Sequence, residues 1–283
     1  MNTENTASHK SDDRSNNGTV CHCVNNATNN STDHSGNSNP TDPGRDKDTP
    51  TTPITLSIDI GGSGIKHQCL RGPNEPVADR VRVETPRPAT QAQIFEALEQ
   101  LFKRAGHFDR VSVGFPGVVC NGVVVSAPNL DGDWSNVELQ NKLAQMTSKP
   151  VRVVNDADMH GYGAIEGRGV EMMITLGTGV GAALFVDGHL LPNLELGHHP
   201  FEKGLSYEER LNRIALKNSG KEIWNQRVKH AFDLLRRTFN FRVLYVGGGK
   251  AQDVDRNQPN DIVIVANAIA FSGGVKLWNA TSS

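Results

Sequence analysis

Ile54-Thr55-Leu56-Ser57-Ile58-Asp59-Ile60-Gly61-Gly62-Ser63-Gly64-Ile65-Lys66-His67-Gln68-Cys69-Leu70 reads as strand, glycine loop, strand. Ile54, Leu56, Ile58 and Ile60 alternate with Thr55, Ser57 and Asp59, the period of two that marks a β-strand. Ile65 to Leu70 continues as a second strand, not as a helix. Glycine after a strand lets backbone N–H groups approach a phosphate closely, because no Cβ intervenes. Two further strands end in such loops, Gly177-Thr178-Gly179-Val180-Gly181 and Gly247-Gly248-Gly249. The second superficially matches the dinucleotide fingerprint, which needs a helix to follow. Here Ala183-Leu184-Phe185-Val186 runs instead into Asp187-Gly188, a hairpin turn, and then His189-Leu190-Leu191. No G-x-x-x-x-G-K-[ST] occurs. The loops are therefore expected to be strand–loop–strand phosphate clamps, and a Rossmann dehydrogenase is demoted.

Outward from this hairpin, strand and helix signals alternate. Ile94, Leu98, Leu101 and Phe102 share one helix face that ends near Gly106, and Val111 to Val113 is a short buried strand. Ser135 and Glu138 have the capping-box spacing ahead of Leu139, Leu143 and Met146, which predicts a helix there; Ser206 and Glu209 repeat it. Val151 to Val154, Met172 to Leu176, Val243 to Val246 and Ile262 to Val265 read as strands. Trp224, Val228, Phe232, Leu235 and Phe239 stripe a longer helix. The expected class is mixed α/β, with no repeat of solenoid length.

The first 53 residues differ in kind: they are rich in Asn, Ser, Thr and Asp, and Ile54 is the first Leu, Ile, Phe, Tyr or Trp. Such a segment cannot offset its ordering entropy by burial, so a disordered tail is expected over 1–53. Cys21-His22-Cys23 with His9 and His34 resembles a metal cluster, but no second ligand pair follows at zinc-finger spacing. The sequons at Asn17 and Asn26 are what an Asn/Ser/Thr-rich tail yields by chance. Over the whole chain Lys plus Arg is 29 against 31 Asp plus Glu, a net charge of −2, which argues against a dedicated nucleic-acid binder. No apolar run reaches the roughly 18 residues of a membrane span, and the polar N-terminus lacks the core of a signal peptide. Cys21, Cys23, Cys69 and Cys120 are too scattered for a disulfide framework. A cytoplasmic protein is expected, with neither nucleic acid nor membrane as partner.

Three sets of polar residues fall where chemistry belongs. Asp59, one residue ahead of the first loop, is placed either to hold Mg²⁺ beside bound phosphates or to satisfy nearby loop amides. Asn155-Asp156 ends a buried strand and opens a helix. There Asp156 can accept a proton from an attacking hydroxyl that Asn155 orients, or can serve as an N-cap. Glu195 and His198 stand in a loop broken by Gly197 and Pro200, which suits either a polyol or a solvated turn and opposes a di-iron helix.

Taken in order along the chain, these segments resemble the ROK family of sugar kinases, within the actin-like ATPase superfamily, and its polyphosphate-glucokinase-like branch in particular. The resemblance runs from Ile54 to Trp278. It is carried by Leu56 to Lys66, Gly114-Phe115-Pro116-Gly117-Val118-Val119, Ala127-Pro128-Asn129-Leu130, Asn155-Asp156-Ala157-Asp158, Thr175 to Gly181 and Glu195-Leu196-Gly197-His198. It implies a two-lobed, ribonuclease H-like fold closing over a cleft. The N-terminal lobe would be 54–155, rejoined by 268–283, and the C-terminal lobe 156–267. It implies Asp156 as the base that deprotonates a sugar 6-hydroxyl, and Asn155, Glu195, His198, Gly117 and Asn129 as sugar contacts. Asp59, Gly61, Gly62, Ser63, Gly64 and Lys66 would face the phosphates of ATP or polyphosphate with Mg²⁺. Thr178 and Gly179 would form the second clamp, and Gly248 and Gly249 would border an adenosine.

Two departures from the family pattern stand out. Members usually carry clustered cysteines at a zinc site after the Gly-His, and no cysteine here lies beyond Cys120, so zinc is not expected. The stretch from His198 to Gly247 is also shorter than usual, and Glu202 is the nearest candidate for a further sugar-contacting Glu. The expected activity is hexose kinase, glucokinase or polyphosphate glucokinase in type. The alternatives are a non-catalytic sugar-responsive regulator, whose N-terminal helix-turn-helix the polar tail cannot supply, or an actin-like kinase for another substrate. Members are often homodimers, which makes a homodimer one expected state.

Overall fold

The computed structural model describes residues 52–280. The tail expected over 1–53, with its Cys-His-Cys cluster, His9, His34 and both sequons, lies outside the described residues except for its last two. In chain order the strands are β1 (Thr55–Gly61), β2 (Gly64–Gly72), β3 (Glu75–Pro76), β4 (Val81–Val83), β5 (Arg110–Phe115), β6 (Val118–Cys120), β7 (Val123–Ser126), β8 (Val151–Asn155), β9 (Val170–Leu176), β10 (Val180–Val186), β11 (His189–Leu191), β12 (Pro200–Glu202), β13 (Leu205–Ser206), β14 (Val243–Gly247) and β15 (Ile262–Ile264). The helices are α1 (Gln91–Arg104), α2 (Leu139–Thr147), α3 (Asp156–Ala164), α4 (Tyr207–Leu211), α5 (Arg213–Ser219), α6 (Lys221–Phe239) and α7 (Ile269–Lys276).

One sheet is ordered β3-β2-β1-β5-β8, with β4 also on β2, and the other β11-β10-β9-β14-β15. They share one pattern. In the first, β1 and β2 form an antiparallel hairpin and β5 and β8 add in parallel. In the second, β9 and β10 form the hairpin and β14 and β15 add in parallel. The glycine loops Gly61–Gly64 and Gly177–Gly181 thus sit at the same corner of each sheet, which is why two similar loop sequences recur far apart in the chain.

The alternation in β1 predicts one apolar and one polar face, yet both faces are covered: Leu56, Ile58 and Ile60 are fully buried, and so are Thr55 and Ser57. The reason is α7, which returns to the first sheet. The Ser112 Oγ donates to the Gly274 carbonyl at 2.6 Å, and Trp278 Nε1 donates to the same Oγ at 2.7 Å. Arg152 and Arg110 stand over the Trp278 ring, 4.8 and 5.0 Å from its centroid. Helices α7 and α3 touch through backbone. A β-carbon on Gly273 would lie 1.8 Å from the Met159 carbonyl oxygen, and one on Gly163 would lie 2.0 Å from that of Ile269. Side chains of any size would force this pair of helices apart, so only glycine permits the crossing. The other face of α3 meets the second sheet, where a Gly161 β-carbon would collide with the Phe185 ring. In this way α3 is fixed between the two sheets with its N-terminus at the end of β8.

The capping box expected at Ser135 and Glu138 is not formed. Ser135 donates its hydroxyl to Asp133 Oδ1 at 2.5 Å, and α2 begins only at Leu139. Trp134 and Val137 are buried, and Val137 bridges to Val124 of β7, so tertiary packing holds this segment extended. Met146, expected on the buried face, is 39% exposed. At Ser206 nothing competes, and the box is complete: Ser206 Oγ accepts from the Glu209 N–H while Glu209 accepts from the Ser206 N–H. Leu56, Ile58, Leu98, Phe115 and Leu143 belong to the core under the first sheet, and Ile174, Trp224, Val228 and Phe232 to that under the second.

Candidate active site

A cavity of about 370 Å³ opens between the two sheets, in the size range of small-molecule sites. Every residue expected at the site except Glu202 lines it. Asp59, Gly61, Gly62, Ser63, Gly64 and Lys66 come from the first hairpin, Thr178 and Gly179 from the second, and Gly248 and Gly249 from the loop after β14. Gly117, Asn129, Asn155, Asp156, Glu195 and His198 complete the wall. The two hairpin loops face each other closely, for a β-carbon on Gly62 would lie 3.5 Å from Thr178 Cγ2.

The first loop is braced from behind. Thr85 Oγ1 donates to the Gly61 carbonyl at 2.6 Å, Arg87 Nη2 to that of Gly62 at 2.5 Å, and Arg82 Nη2 to that of Ser63 at 2.8 Å. These bonds hold the loop backbone through three of its carbonyl oxygens. Lys66 and Asp59 are register partners across the hairpin, and Lys66 Nζ reaches Asp59 Oδ2 at 2.7 Å. Of the two roles open to Asp59, satisfying loop amides is not the one the structure shows: its partner is a lysine.

Asn155 caps α3. Its Oδ1 accepts from the N–H groups of Ala157 (2.8 Å) and Asp158 (3.3 Å), and its Nδ2 donates to the Gly117 carbonyl at 3.1 Å. Asp156 is therefore the first helical residue and not the N-cap. Burial first, then the Asp59 carboxylate, push the Asp156 carboxyl up to about 7, against the pull of the Ala157 N–H. A carboxylate that titrates there is half ionised at neutral pH and can take up a proton during a reaction. Glu195 lies 3.4 Å from His198 Nε2. Burial raises Glu195 above the usual carboxylate range, His198 opposes this, and Glu208 adds to it.

Glu208 is an acidic cavity residue that sequence reasoning missed. It lines the cavity, accepts the Val180 N–H at 3.1 Å, and its Oε2 would sit 2.4 Å from a β-carbon on Gly179. Glu202, the candidate for a further sugar-contacting Glu, does not line it; it is paired with Arg210 and, at 3.6 Å, with Arg227. The capping box at Ser206 places Glu208 in the first turn of α4, but only the fold brings that turn to the second glycine loop. Arg82, Arg213 and Lys250 also line the cavity and, with Lys66, give it four cations alongside the carboxylates of Asp59, Asp156, Glu195 and Glu208.

Asp59 brings one carboxylate to the cavity, its Oδ2 paired with Lys66. Mg²⁺ is usually held by one or two carboxylates together with substrate phosphates and water. Among the described residues no group of three or more His, Cys, Asp or Glu is placed to hold a metal.

Two sheets of one topology, each offering a glycine hairpin to the cleft between them, define an actin-like kinase fold. The ROK family model matches residues 55–207, and the chain belongs to that family. It is 30% identical over 234 residues to the polyphosphate glucokinase of Mycobacterium leprae (strain TN), covering 78% of this chain and 72% of that one. Its structure matches that of an inorganic polyphosphate/ATP-glucomannokinase from Arthrobacter sp. strain KM, with a TM-score of 0.72, 29% identity, and 81% and 100% of the two chains covered. A ROK family glucokinase from Streptomyces griseus, in complex with glucose and AMPPNP, shares the fold at a TM-score of 0.68 and 20% identity, with 79% and 98% covered. These comparisons support a sugar kinase. No helix among the described residues is long and apolar enough to cross a membrane.

Proposed function

We propose that the chain transfers a phosphoryl group from ATP or polyphosphate to the 6-hydroxyl of glucose or a similar hexose, with Asp156 as general base. The observation that carries this reading is Asp156 itself, raised to about 7 on the wall of a cavity that both glycine hairpins face. Asp156 accepts the hydroxyl proton as the sugar oxygen bonds to the terminal phosphorus and the bond to the donor's bridging oxygen breaks. The proton ends on the Asp156 carboxyl, and the shortened donor leaves with the electron pair. Phosphoryl transfer rests chiefly on positioning and charge neutralisation, which the braced first loop, Thr178, Gly179 and the four cations serve.

Asn155, Gly117, Asn129, Glu195 and His198 hold the hexose, and Glu208 is the further acidic contact in place of Glu202. Carboxylates, amides and an imidazole at fixed spacing match the alternating donors and acceptors of a polyol. Gly248 and Gly249 border the adenosine when ATP is the donor. Asp59 would hold Mg²⁺ with the donor phosphates, and the ion when bound neutralises charge on the transferring group. The division of the chain into 54–155 with 268–283, and 156–267, belongs to the same reading, as do a cytoplasmic setting, a role in carbohydrate metabolism and a homodimeric state.

The pH profile tests the base. Asp156 must be ionised to accept a proton, so kcat/KM for the hexose is expected to fall about tenfold per pH unit below an apparent pKa near 7 and to level off above it. A profile flat from pH 5 to 8 would remove Asp156 from the base role.

A further inference from the structure

Asn193 stands in the loop between β11 and Glu195 with φ at +59°, and three of its polar groups reach other segments. Its Oδ1 accepts the Val119 N–H at 2.9 Å and its Nδ2 donates to the Val119 carbonyl, also at 2.9 Å. Its own N–H donates to Asp158 Oδ2 at 3.3 Å. The side-chain amide thus pairs with both backbone groups of one residue, as a neighbouring strand would.

The three segments joined here each carry part of the acceptor wall. Val119 lies in β6, two residues after Gly117, and β6 pairs with β7, which leads on to Asn129. Asp158 lies in α3, two residues after Asp156. Glu195 follows Asn193 by two residues and His198 by five. Asp158 is 1% exposed, and its Oδ1 has no hydrogen-bond partner among the described residues, so the Asn193 N–H is the one donor it has. A buried carboxyl with a single donor is costly and specifies the position of that donor closely.

We propose that Asn193 is a positioning residue for the sugar acceptor, tying Gly117, Asp156 and Glu195 into one wall and so setting hexose affinity without touching the hexose. This rests on the acceptor site assigned above. Asn193 does not line the cavity, whereas Leu194 and Glu195 beside it do. Releasing the tie frees the Glu195 loop from β6 and leaves the donor loops untouched.

The left-handed backbone at Asn193 supplies a clean variant, because glycine adopts that φ without strain while losing the side chain. In N193G, KM for the hexose is expected to rise about tenfold, with KM for the donor within about twofold of the parent and the melting temperature lower by a few degrees, because both Val119 backbone groups lose their partner. Hydrogen exchange without ligand reads the tie separately: exchange at Val119 should quicken in N193G. N193D, which keeps an acceptor for the Val119 N–H but sets an oxygen against the Val119 carbonyl, should also raise hexose KM. Unchanged exchange at Val119 would show that no tie exists. Faster exchange with hexose KM unchanged, or with hexose and donor KM rising together, would show a tie that does not position the acceptor. A parent enzyme that phosphorylates no hexose would instead bring down the acceptor assignment, whatever the exchange shows.

Discussion

Asp156→Asn is expected to lower kcat by about 10²- to 10⁴-fold, the range a positioned general base contributes, with hexose binding within a few-fold of the parent. Asn keeps the size of the side chain, so the α3 N-terminus and the Asn155 cap stay in place. The same variant is expected to be more stable at neutral pH. Burial and Asp59 raise the folded-state pKa to about 7, against about 3.9 for an unfolded Asp. The native chain therefore binds more protons between these values, and stability falls as pH climbs from about 4 to 7. Asn removes that loss. At pH 8 the variant should melt above the parent, and the two should converge below pH 4. A variant that keeps parental turnover would contradict the assignment; one that melts below the parent at pH 8 would contradict the raised pKa.

Gly273→Ala carries the largest expected loss of stability. The new β-carbon would fall 1.8 Å from the Met159 carbonyl oxygen and 2.9 Å from the Gly163 nitrogen, both backbone atoms that cannot rotate away. Helices α7 and α3 would have to separate, at a cost of about 3 kcal/mol or more. For a domain of this size that lowers the melting temperature by roughly 10 °C. Gly163→Ala meets the Ile269 carbonyl in the same crossing, so the double variant should lose less than the sum of the two. Because Asp156 is the first residue of α3, kcat is expected to fall even where the variant remains folded. A melting temperature within about 2 °C of the parent would show that the helix pair yields more easily than its backbone contacts imply.

The parts of this fold written in local pattern were legible in the sequence. Strand–glycine–strand at Ile54 to Leu70 and at Met172 to Val186 needs only neighbouring residues, and the hairpin turn at Asp187-Gly188 has positive φ at both positions. The residues expected at the site on those loops line the cavity for the same reason. What failed depended on distant partners. Ser135 and Glu138 have the same spacing as Ser206 and Glu209, but burial of Trp134 and Val137 outweighs a cap worth about 1 kcal/mol. The polar face of β1 reads as solvent-facing until α7 arrives from more than 200 residues away to cover it. Glu208 in the first turn of a helix has the local look of a residue favoured there by the helix dipole, and its place at the cavity comes from how α4 meets β10. The Asn193 tie has no local signal beyond an asparagine in a loop.

Phosphoryl transfer to a hexose at the Asp156 cavity is the reaction that the proposed function requires. It is tested most directly by incubating the full chain with glucose and Mg²⁺, in parallel with ATP and with polyphosphate, and measuring glucose 6-phosphate. Product is expected from at least one donor, and is lost in Asp156→Asn. No product from either donor, with mannose and other hexoses tried in place of glucose, would contradict it.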